Sequence, residues 1–242
     1  MDPQAPRAFA TTRWTLVLAA SADPASAQAR DALAILCETY WHPVYAFIRR
    51  TGRSSEDARD LTQAFFTRVL EKHYFKDAKR ERGRFRAFLL TSVRNFLANE
   101  YDKRSALKRG GGQPVAPLEF DDDEGRRQAH EPVDTLTPDQ IYERNWALAV
   151  IADAMARLAS AQAGSGRREI FRHLKPFLTG DEPSSYAELS RTLHTAEGTL
   201  RVAVYRLRQQ YGECLREAIS QTVETPAEVD DELRHLLQIV GR

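Results

Sequence analysis

Cysteine is scarce in this chain. Its 242 residues include two, Cys37 and Cys214. A disulfide framework or a zinc site needs more ligands at tighter spacing. Both cysteines sit on apolar helical stripes, so reduced, buried thiols are expected. Long apolar runs are also missing. None approaches the ~20 residues that span a bilayer, and no membrane partner is expected. Met1–Trp14 lacks the basic segment and apolar core of a signal peptide, which points to a cytoplasmic protein. Strand signals are nearly absent. So are a Gly-rich phosphate loop, a Ser-His-Asp arrangement and an HExxH string. One pair, Glu232-x-x-His235, has the i, i+3 spacing used by di-iron bundles, but such sites need two such pairs and further inward glutamates. No enzyme activity, metal or cofactor is expected. Finally, there is little net charge. The formal value of +1 gives no global excess to announce a nucleic-acid partner.

What is present is local. From Lys76 to Arg109 basic residues outnumber acidic ones. From Glu119 to Asp134 the balance reverses, with Asp121-Asp122-Asp123-Glu124 as a run, and the tail after Glu217 is acidic. Apolar residues recur at helical spacing almost throughout. Thr11–Ala20 reads as a short helix. Asp31–Arg50 reads as a longer one that Pro43 should kink or split. Ser54 and Asp57 have the spacing of an N-cap and its acidic partner, opening a helix to about Lys72. Phe85–Lys103 is another. Gly110-Gly111-Gly112 ends that pattern, and no apolar period survives until Pro138. So long a structureless stretch argues for a boundary. The reading is all-α, with two helical domains joined by an acidic flexible linker. Its parts are an N-terminal extension (1–29), a first domain (30–109), the linker (110–137), a second domain (138–220) and an acidic C-terminal helix (221–242).

The second domain carries the sharpest pattern, SYAELSRTLHTAEGTLRVAVYRLR, which reads as a helix-turn-helix. Tyr186, Leu189 and Leu193 line a short helix, and His194-Thr195 makes the turn. A second helix opens at Ala196-Glu197 with Leu200, Val204 and Leu207 inward. Thr199, Arg201, Arg206 and Arg208 are left on its free side. A helix basic on its free face, set across a tight turn from another, can enter a major groove. In the first domain, Phe75, Phe85, Phe88, Phe96 and Tyr101 are interleaved with lysines and arginines. Aromatic faces with cations suit single-stranded nucleic acid, although helical spacing turns Phe88 and Phe96 inward. Asn95 beside Arg94 has an amide that can read a base edge.

The order of these parts resembles a bacterial extracytoplasmic-function sigma factor, a two-domain initiation factor of RNA polymerase. EDARDLTQAFFTRVL (Glu56–Leu70) is similar to the family's polymerase-binding helix. FRAFLLTSVRNFLANEYDKR (Phe85–Arg104) is similar to its promoter-melting helix, and the helix-turn-helix to its −35 reader. RWTLVLAA, DLTQAFF, ERGRFRAFLL and KRGGG resemble a subgroup abundant in planctomycetes and related bacteria. The resemblance implies core RNA polymerase, through its clamp coiled coil and flap, as partner. Promoter DNA would be met as duplex at −35 and as single strand at −10. An anti-sigma factor is a further partner of many relatives; no residue here names one.

The resemblance implies residue roles as well. Asp57, Asp60, Leu61, Gln63 and Phe66 would meet the polymerase. Arg84, Arg86, Arg94, Asn95, Asn99 and Arg104 would meet −10 DNA, with His73–Arg84 as the base-selecting loop. Thr199, Arg201, Tyr205 and Arg206 would meet the −35 element. The chain departs from the family pattern at Ala64, usually acidic, at Phe88 and Leu90, usually Trp and Tyr, and at His194, usually Gly. A duplex-DNA regulator that works without polymerase would share the helix-turn-helix but leave the melting-type helix unexplained.

Overall fold

The computed structural model describes residues 27–71, 84–109, 136–180 and 185–241. Among these residues every regular element is a helix. The expected helix over Thr11–Ala20, the base-selecting loop and most of the linker lie outside them. Packing divides the chain into two compact units that meet, in sequence, between Trp146 and Ala147.

In the first unit, α1 (Ala27–Arg50) is one continuous helix through Pro43. The expected split does not occur. Proline removes one ladder hydrogen bond and crowds the preceding turn, which costs about 3 kcal/mol. Tyr40, Val44, Phe47 and Ile48 are all buried around it, and packing on that scale offsets the loss. Gly52, at φ +84°, turns the chain where a side chain would be strained. Ser54 then caps α2 (Ser55–Glu71), its Oγ accepting from the Asp57 N–H at 3.1 Å. Ala58, Leu61, Phe65 and Val69 face inward. The third helix, α3 (Phe85–Arg109), buries Phe85, Phe88, Leu89, Val93 and Phe96. Edge-to-face rings bind the three together: Tyr40 meets Phe85 at 4.9 Å and Phe65 meets Phe96 at 5.6 Å between centroids. Cys37 lies in this core, where burial, helped by the neighbouring Glu38 carboxylate, pushes its thiol up to about 12.

The next helix, α4 (Pro138–Gly164), corrects the expected domain boundary. Thr137 opens it with reciprocal bonds: the Gln140 N–H donates to its Oγ1 and its own N–H donates to Gln140 Oε1. Its first turns, through Trp146, pack in the first unit. Tyr142 and Trp146 are almost wholly buried there. Tyr142 sets its ring edge-on to Phe47 and donates its hydroxyl to the Arg86 carbonyl at 3.0 Å. Loss of apolar period marks where a chain leaves a core. It does not mark which core the next apolar residues join.

The second unit continues with the rest of α4, then α5 (Arg168–Leu174), α6 (Pro176–Thr179), α7 (Tyr186–Leu193), α8 (Glu197–Ser220) and α9 (Pro226–Val240). Leu158, Phe171, Leu174, Leu189, Leu200, Val204 and Leu207 form one buried cluster. Thr225 and Glu228 close a capping box at the start of α9. That helix buries Val229 and Leu236 and joins α8 through Arg216 and Asp230 at 2.6 Å. The acidic C-terminal helix is therefore part of the second unit's packing.

Candidate nucleic-acid and polymerase interface

Three surfaces hold the residues singled out in the sequence. On α2, helical rotation sets Asp57, Asp60 and Gln63 on the face opposite Leu61, Phe65 and Val69. All three polar residues are exposed. Leu61 and Phe66, expected on the same contact surface, are instead 6% and 4% exposed. Both fall on the inward arc of α2, and Phe66 is further covered by the ring of Trp41, stacked at 5.5 Å. Both pack beneath the face that carries Asp57, Asp60 and Gln63. The sequence did not bring in α3. Asp60, Gln63, Ala64 and Thr67 border an open groove whose other side includes Glu100 and Lys103. Glu100 accepts from Lys103 at 2.7 Å and lies 4.0 Å from Arg68. The i, i+3 spacing of Glu100 and Lys103 was a signal of their pairing, but nothing local tied them to α2.

On α3, Arg94, Asn95 and Asn99 are exposed, and Arg84, just before the helix, is half-buried. Asn95 and Asn99 stand one turn apart, so both amides face one way. The Arg104 side chain lies outside the described residues. Arg86 is a correction. Expected to meet −10 DNA, it is 8% exposed, ion-paired with Glu143, and has its guanidinium 4.8 Å from the Trp146 ring centre. A helix beginning 52 residues further along claims it. Arg94 is ion-paired too, with Asp139 in the first turn of α4. Both groups of that pair are half-exposed, so a phosphate or base can compete for the guanidinium. Neither acidic partner was identified from the sequence.

In the second unit α7 and α8 follow one another across a short turn at His194–Ala196. Ser185 caps α7 with a full capping box to Glu188. His194 takes the left-handed conformation, φ 49° and ψ 40°, at the turn, a position histidine tolerates better than most side chains. Its N–H and that of Thr195 both reach the Ser190 carbonyl. Leu200, Val204 and Leu207 are buried, while Thr199, Arg201, Tyr205 and Arg206 are exposed. Arg201 is tethered: its guanidinium lies 4.5 Å from the Tyr186 ring centre and 3.6 Å from the Glu197 carboxylate. Arg208 donates to the Phe177 carbonyl at 3.1 Å. The arrangement offers cations and hydroxyls along a helix whose inner side is locked to the core.

Among the described residues no group of three or more His, Cys, Asp and Glu could hold a metal. None of the described helices is long and apolar enough to cross a membrane. Residues 36–106 match the family of Sigma-70 region 2. This segment covers most of α1, all of α2 and nearly all of α3. The match is confined to this segment, less than a third of the chain. No curated protein and no solved structure matches the chain.

Proposed function

We propose that this protein is an alternative sigma factor of the extracytoplasmic-function type. It docks on core RNA polymerase through the α2 face, holds opened −10 DNA on α3 and reads the −35 element with α8. The observation that carries this reading is the match of residues 36–106 to Sigma-70 region 2, which spans both the α2 and α3 surfaces. The helix-turn-helix in the second unit supports it, because a duplex reader and a strand-opening domain on one chain are what promoter recognition needs. Catalysis is not part of the reading: the chain supplies binding energy for opening, and the polymerase supplies chemistry. An extruded base costs a few kcal/mol in lost stacking, which contacts from Asn95, Asn99 and Arg94 would recover. The test is run-off transcription of genomic fragments by core polymerase with the wild-type chain and with an Asp60→Arg, Gln63→Ala variant. The wild type should yield discrete transcripts, and the variant should lose core association while keeping its helical content. A variant that co-purifies normally with core removes the α2 face from docking. A chain that shifts duplex DNA but never directs a transcript is a regulator that works without polymerase.

A further inference from the structure

The free face of α8 is not simply basic. With 100° between successive residues, the buried positions Leu200, Val204 and Leu207 define an inward direction. The direction opposite it is occupied by Gly198, Val202, Tyr205 and Gln209. All four are exposed. The cations lie to the sides: Arg206 with Thr199 on one flank, Arg201 with Arg208 on the other. Two large apolar side chains thus stand on the crest of the helix, Val202 at 49% and Tyr205 at 63% exposure. Single exposed apolar residues are ordinary on protein surfaces. A valine and a tyrosine on successive turns, centred between flanking arginines, are a contact strip with matched charge on both sides. Duplex DNA has that layout in its major groove, with a base-edge floor between two phosphate rims.

The flanks and the crest then divide the work. Arg201 is held back by Tyr186 and Glu197, and Arg208 by the Phe177 carbonyl, so these two are positioned for the rim. The floor meets the crest. Valine has no donor or acceptor. Set against guanine, adenine or cytosine edges, it would strip water from polar atoms and return nothing. The thymine 5-methyl group is the one apolar feature a major-groove floor presents. From this we infer that Val202 is a specificity-determining residue of the −35 contact and that it selects thymine through its methyl group. Gly198, one turn earlier, has open space where a Cβ would stand, which lets the helix approach the floor closely at that end.

This inference rests on the promoter-binding reading above, and its test separates the two. Holoenzyme would be bound to a promoter fragment recovered by run-off transcription. Each −35 thymine, on either strand, would be replaced in turn by deoxyuridine, which removes only the methyl group. For the wild type, one replacement should weaken binding by about fourfold, the worth of one buried methyl. Val202→Ala should weaken binding to the natural site to a similar degree and become indifferent to that same replacement. Because Val202 is half-exposed, the variant should melt with the wild type. If no thymine responds, or if Val202→Ala remains as sensitive to demethylation as the wild type, Val202 does not read thymine. If holoenzyme gives transcripts but no −35 protection, the helix-turn-helix reading falls and this inference falls with it.

Discussion

Arg86 and Arg94 sit eight residues apart on α3, and the fold gives them opposite surroundings. Arg86 is buried between Glu143 and the Trp146 ring. Removing Arg86 takes away the Glu143 pair and the packing on Trp146 at a mostly buried position, and loss of one member of a fully buried pair costs about 3–5 kcal/mol as an upper bound. Arg86→Ala should therefore lower the melting temperature of the first unit sharply, and any loss of transcription should follow loss of fold. Arg94 pairs with Asp139 at a half-exposed position, where ion pairs contribute at most about 1 kcal/mol. Arg94→Ala should melt nearly as the wild type does, yet open promoter DNA poorly, as read by permanganate reactivity of −10 thymines. Equal stability in the two variants would contradict the burial difference. Equal opening in Arg94→Ala and wild type would remove Arg94 from the DNA surface. Residue type and spacing could not separate these arginines, since both stand in the same matched string. The separation comes from α4, whose contribution is invisible within α3.

At the scale of elements, the pairing of α4 with α3 carries a consequence for promoter entry. The first turn of α4 places Asp139 on the guanidinium that the proposed function assigns to opened DNA. DNA must exchange with that carboxylate. Asp139→Asn should strengthen binding of a single-stranded −10 oligonucleotide to holoenzyme, by up to about fivefold if the full ~1 kcal/mol of such a pair is recovered. Fluorescence anisotropy against salt would measure it, and an unchanged or weakened affinity would show that the pair does not compete with DNA. The helices themselves were largely readable from periodicity and caps. Ser54, the cap read from the sequence, accepts its N-terminal bond, and Thr137, Ser185 and Thr225 do the same at their own helices, because a cap is a contact three residues long and needs no tertiary information. Pro43 does not split α1: the cost of a missing N–H is local and readable, whereas the burial of Tyr40, Val44 and Phe47 that outweighs it is not. Phe66 illustrates the same limit within the site. A motif names a helix; rotation alone turns Leu61 inward, whereas the cover of Trp41 over Phe66 comes only with packing.

For the whole molecule, the division between units falls inside a helix rather than in the acidic linker. The sequence shows a break in apolar period over 110–137, but the residues that follow it, through Trp146, still belong to the first unit. Tyr142 and Trp146 cover Phe47 and Arg86, and Arg50 donates through Nε to the Leu136 carbonyl at 3.0 Å. A first domain cut at the end of α3 would expose that surface and leave Arg86 without Glu143. A fragment of residues 27–109 should thus be less stable than one of residues 27–146, although the added residues are mostly linker. Burial of two aromatic side chains contributes about 3–6 kcal/mol before ordering entropy is subtracted, so the gain should be visible as a rise of several degrees in melting temperature. Restoring 136–146 as a separate peptide would be a weaker test, since a short free helix must also be ordered on binding. Equal melting of the two fragments would place the boundary in the linker after all. It would also mean that Glu143 and Trp146 add nothing to the surface on which Arg94 and the two asparagines stand.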